Sequence, residues 1–167
     1  MSQPIIELIE EEIINRLENI QLKNGYAFTV ASVELVNRDL NSYPEPGPLA
    51  IIVDLTEEAE NEEMSCPGNP PAVAYDASFM VHGYAQPVDR DDTLSNLNAG
   101  ITRHQMQAAI HTALVTPTAG DWAQWEGNAL TTSLQSKTKF EGPGTDGVTV
   151  GMLITYRTDE NDPTVKR

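Results

Sequence analysis

Three histidines, His82, His104 and His111, are the side chains in this chain best suited to hold a metal or move a proton near neutral pH. His104 and His111 are seven residues apart in a stretch of helical periodicity, so they share a face with Leu94, Leu97, Ile101, Ala108 and Val115. A zinc pair on a helix needs a spacing of about four residues and a third converging ligand. Seven residues is two turns, about 10 Å of rise, which is too far for one ion. They therefore read as boundary residues at the edge of an apolar stripe. The single cysteine, Cys66, lies in a proline-rich stretch with no sign of a paired base, whereas a nucleophilic thiol needs a depressed pKa and an orienting histidine.

The carboxylates are more numerous and no sharper. Glu57, Glu58, Glu60, Glu62 and Glu63 lack the alternation and the central glycine of a calcium loop. Asp89, Asp91 and Asp92 stand where the start of a helix favours acids. Gly142, Gly144 and Gly147 spell G-x-G-x-x-G, but no helix follows to cradle a phosphate, so the string is a hairpin turn. Trp122 and Trp125 share a face only if their segment is helical. Core packing is the plainer reading for them, and an anchor at a subunit contact is the alternative. No catalytic residue, metal or cofactor is assigned from these residues.

The elements that must carry these groups are legible from periodicity. Ile5, Ile9, Ile13 and Leu17 recur every fourth residue, with Glu7, Glu11, Asn15 and Glu18 opposite, which predicts an amphipathic helix over about 3–22. Ser2 is its expected cap, Pro4 fits the first turn, and Asn24-Gly25 supplies the stop. Strands are expected at 27–36, 49–55 and 73–81, the last with Val73, Tyr75, Ala77, Phe79 and Val81 on one face. Residues 57–71 are too acidic and too rich in proline for regular structure, and a mobile surface loop is expected there. A second helix is expected from about Asp91 to Leu114, weakened by Gly100. A hairpin at 129–139 and 147–157 follows, then a loose polar tail from Thr158. The order α-β-β-β-α-β-β predicts a single α+β domain, a mostly antiparallel mixed sheet with both helices on one face.

Composition narrows the function. The 167 residues carry a net charge of −15, with 14 acids against 3 bases in residues 1–66 and 11 against 7 in the remainder. Such a surface repels nucleic acid and anionic membranes. One cysteine cannot form an internal disulfide, no apolar run is long enough to cross a bilayer, and the first residues lack the pattern of a signal peptide. A protein made and kept in a cytoplasm is expected.

The chain resembles the tail terminator family of long-tailed bacteriophages, the minor-tail-protein-U-like group of tail completion proteins. The likeness lies in the leading helix ending at Gly25-Tyr26 and the proline-rich passage into Leu49–Leu55. It continues through Pro70-Pro-Ala-Val-Ala-Tyr75, the Asp91–Leu114 helix, and Val148–Tyr156 running into Arg157-Thr158 and Asp162-Pro163. The resemblance implies a structural virion protein with no catalytic residues. It implies a homohexameric ring at the head–tail junction that ends growth of the tail tube and joins the tail to the head connector. The expected partners are other copies of the chain, the tail tube protein and the head-completion protein. DNA would cross the lumen without specific contact, and an acidic bore would let it slide, with Lys137, Lys139, Arg90 and Arg103 away from it. Trp122, Trp125, His104 and His111 are the candidate subunit contacts. A different neck or tail-tube-associated virion protein is the nearest alternative, and a small metal-binding enzyme using the histidines is the more distant one.

Overall fold

The computed structural model describes residues 3–36, 47–85, 101–115, 125–142 and 145–167. Helix α1 spans Ile5–Glu18 and buries Ile5, Ile9, Ile13 and Leu17, the stripe expected from its periodicity. It is shorter than expected at both ends. Pro4 stands at the N-cap, with no side-chain cap bond. After Asn19 the chain tightens into a 3₁₀ turn at Leu22–Asn24, which Gly25 ends in the left-handed region at φ 88°. Ser2 lies outside the described residues.

Among the described residues six strands form one sheet: β1 (Ser32–Val36), β2 (Ala50–Glu60), β3 (Ala72–Tyr84), β4 (Thr131–Gly142), β5 (Thr145–Asp159) and β6 (Asp162–Lys166). The order across the sheet is β1-β2-β3-β5-β4, with β6 also on β5. β1 runs parallel to β2, and every other pairing is antiparallel. The fold is α+β in the order α-β-β-β-α-β-β, to which the short β6 is added. Helix α2 spans Arg103–Val115 and lies with α1 on one face, over a core that includes Ile51, Val53, Phe79, Val81, Val150, Met152 and Ile154. A buried aliphatic or aromatic side chain of this kind contributes about 1.5–3 kcal/mol.

Four expectations need correction. The first strand begins at Ser32, because its partner β2 begins only at Ala50; residues 27–31 instead lay Phe28 into the core and bond Val30 N–H to Ile20 C=O at 2.9 Å. The acidic stretch expected to be a loop is strand as far as Glu60, because β3 offers Tyr75 to Ser78 as pairing partners. Beyond it, Asn61 Nδ2 donates to Asp76 at 2.9 Å, Arg157 Nε donates to Met64 C=O at 2.7 Å, and Cys66 bridges Ala72. The loose tail is in fact β6, with Arg167 paired to Asp159 at 2.6 Å. In α2 the buried stripe is Met106, Ala109, Ile110, Ala113 and Leu114, while Ala108 and His104 face outward. The expected start of that helix at 91–100, with Asp89, Asp91, Asp92 and Arg90, lies outside the described residues.

Candidate assembly surface

The sheet has two edges of opposite charge. At one edge β4 pairs, among the described residues, only with β5, placing Lys137 opposite Val150 and Lys139 opposite Val148. Val148 and Val150 belong to the core beneath the helices, so both lysines stand on the helix-bearing face, and both are exposed. Lys139 Nζ lies 3.4 Å from His104 Nε2. The pKa of His111 is lowered, first by its partial burial and then by the Lys137 charge. Arg103, at the start of α2, pairs with Asp146 at 3.1 Å. His104, His111, Lys137 and Lys139 thus form a basic patch on a strongly acidic chain.

At the other edge β1 accompanies β2 only from Ala50 to Asp54. From Leu55 to Glu60 the outer edge of β2 has no strand beside it among the described residues, and Thr56 to Glu60 are all exposed. Glu58 lies opposite Ala77 and Glu60 opposite Tyr75, again on the helix-bearing face, whereas Glu57 opposite Ser78 points the other way. Tyr156 O–H donates to Glu58 Oε1 at 2.7 Å and its ring stacks on Tyr75 at 5.6 Å. Burial pushes the Tyr156 pKa up, and the bond to Glu58 adds to the shift. A cavity of about 280 Å³ opens here beneath the start of α1, lined by Pro4, Ile6, Glu58, Tyr75, Tyr156 and Asp159. Glu10, one turn along the same helix, is buried; burial raises its pKa first, and the charges of Glu7 and Glu58 raise it further.

The other candidates are kept apart. His82 is half-buried on the face away from the helices, with Nδ1 2.9 Å from Thr149 Oγ1, so it does not meet His104 or His111. Burial lowers its pKa, and Asp54 partly opposes the shift. No three histidine, cysteine or acidic residues among those described could hold a metal ion together. Cys66 is exposed. Trp125 is wholly buried within the protomer, where its N–H donates to Thr132 Oγ1 at 2.7 Å and Arg16 stacks 4.1 Å from its ring. It is a core residue and offers no surface to a neighbour; Trp122 lies outside the described residues. Residue patterns alone missed the acidic edge, because five glutamates in seven positions read as a solvated loop. The signal that finds it is strand length: a third strand of nine or more residues needs a second strand longer than 49–55 beside it.

Among the described residues no helix is long and apolar enough to cross a membrane. No protein-family model matches the chain, and no curated protein matches it.

Proposed function

We propose that this chain is a structural virion protein, a tail terminator that forms a ring at the head–tail junction, ends tail-tube growth and lines part of the DNA channel. The observation that carries the reading is the element order α-β-β-β-α-β-β on one sheet with both helices on one face, the order on which the resemblance rests. Edges of opposite charge add support, because a ring of one subunit needs two different patches that fit each other. In this role the protein acts through shape and charge and makes no bonds of its own. Its partners are its own copies, the tail tube protein and the head-completion protein.

Electron microscopy of virions carrying a tagged copy tests the proposal. Label confined to the head–tail junction is expected. Label along the tube or at the distal tip would move the protein to another tail role, and absence from virions would overturn the reading.

A further inference from the structure

We infer that copies of this chain join edge to edge, β4 of one copy adding to the outer edge of β2 at residues 55–60 of the next, an edge unpaired among the described residues, with Lys137 against Glu60 and Lys139 against Glu58. The inference rests on the proposed self-assembly and names the surface that carries it. An unpaired strand edge is a template for another strand, and the described sheet ends in such an edge on each side. Lys137 and Lys139 enter no ion pair among the described residues, nor do Glu57, Glu58 and Glu60. Opposite charges on facing strand positions stabilise such a pair, and like charges there would oppose it.

Parity and register agree with this pairing. Both lysines and both glutamates stand on the helix-bearing face, each pair two residues apart, so they meet on one side of a continued sheet. Successive strands β2, β3, β5 and β4 alternate in direction, so β4 beside the β2 of the next copy is antiparallel. Antiparallel pairing that sets residue 137 against 60 and 139 against 58 carries residue 140 to Glu57, beside the β-bulge between Leu55 and Glu57, and so stays clear of β1, which leaves the edge of β2 at Asp54.

The same register gives a geometry for closure. Within one copy Lys137 lies in line with Val150, Val81 and Val53, yet in the joint it meets Glu60, which the bulge between Leu55 and Glu57 leaves six register steps further along, opposite Tyr75. Each copy therefore advances about 20 Å along the strands and about 19 Å across four of them. The strands then tilt about 45° from the ring axis, a tilt that closed sheets adopt. The joint is heterologous and leaves both edges of each copy occupied. It also brings ammonium groups to the acidic end where Glu10 is buried beside Glu7 and Glu58.

Cysteine pairing tests the contact. In a Cys66→Ser background, Lys137→Cys with Glu60→Cys places two thiols directly opposite across the joint, within disulfide reach. Mild oxidation near 0.15 M salt should give a ladder that extends beyond dimers, while either single cysteine variant gives dimers at most. Charge exchange supplies an independent reading. Lys137→Glu with Lys139→Glu should abolish assembly, as should Glu58→Lys with Glu60→Lys, and mixing the two variants should restore it, each supplying the edge the other lacks. Rings of unsubstituted protein seen by native mass spectrometry, without the ladder and without rescue on mixing, would overturn this joint and leave the self-assembly reading standing. Unsubstituted protein that stays monomeric both alone and on isolated tail tubes would overturn both.

Discussion

Among the described residues Trp125 is the largest side chain sealed inside the protomer, and it ties three elements together. Its N–H reaches Thr132 at the start of β4, and the Arg16 guanidinium from α1 lies over its ring while also donating to Leu114 C=O at the end of α2. Trp125 and Glu126 adopt φ of 46° and 57°, in the left-handed region, and Gly127 follows at 80°. Packing that holds such a turn must be strong, since each such residue other than glycine costs roughly 1–3 kcal/mol. Trp125→Ala should therefore destabilise by about 3–5 kcal/mol in urea unfolding. Trp125→Phe keeps a six-membered ring beside Arg16 but loses the donor and part of the indole volume, and should cost less, about 1–3 kcal/mol. Equal losses in the two variants would contradict packing as the main contribution. Glu10 makes the opposite kind of prediction. Its carboxyl titrates higher in the folded chain than when unfolded, so ionising it costs stability as pH rises. Glu10→Gln should melt above the parent at pH 7, with the gap closing as pH falls through the unfolded-state value, about 4.3, and gone below it, where both states are protonated. A gap that widened on acidification would contradict this account.

At the level of elements, α2 sits close against the sheet because β3 carries Gly83 beneath it. A Cβ at Gly83 would lie 2.5 Å from Ile110 Cδ1 and 2.7 Å from Met106 Cγ. Gly83→Ala should cost about 1–3 kcal/mol through overpacking. Met106→Ala should then cost less in the Gly83→Ala background than alone, and the double-mutant cycle measured by urea unfolding should show clear coupling. Strict additivity would mean that α2 shifts freely on the sheet. The same pairing of helix and sheet explains what could be read from residue patterns. Alternation in Val73–Val81 and fourfold recurrence in Ile5–Leu17 name their buried faces directly, because each face has one covering partner. Alanines blur α2: Ala108, Ala109 and Ala113 suit either face, so the buried stripe is decided by where Met106 and Ile110 meet Gly83. The acidic half of β2 and the polar β6 were illegible for a related reason. Their side chains carry no apolar pattern, and they are strands because β3 and β5 present backbone to pair with. The basic half of the candidate surface could be named from His104 and His111. The lysines beside them could not, since only the register of β4 on β5 brings Lys137 and Lys139 to the same face.

For the whole molecule, charge sets two ranges of force that compete. A net −15 per copy makes separated protomers repel one another, and it should likewise keep the free protein from retaining duplex DNA in a gel-shift assay. The proposed joint instead brings Lys137 and Lys139 within a strand spacing, about 5 Å, of Glu60 and Glu58. In the proposed ring those lysines would be held at the subunit boundary, away from DNA in transit, whose phosphates they would otherwise grip. Salt separates the two forces by distance. At 0.01 M the Debye length is about 30 Å and whole-molecule repulsion acts across the full gap; near 0.15 M it falls to about 8 Å, which removes most of that repulsion and spares close contacts. At 1 M it is about 3 Å, and exposed pairs weaken as well. Assembly followed by sedimentation velocity should therefore pass through a maximum at intermediate salt. In the Lys137→Glu, Lys139→Glu variant the maximum should vanish, because no short-range attraction remains. A steady rise with salt in the unsubstituted protein would point to apolar burial as the force that joins the copies, and the charged edges would then be bystanders.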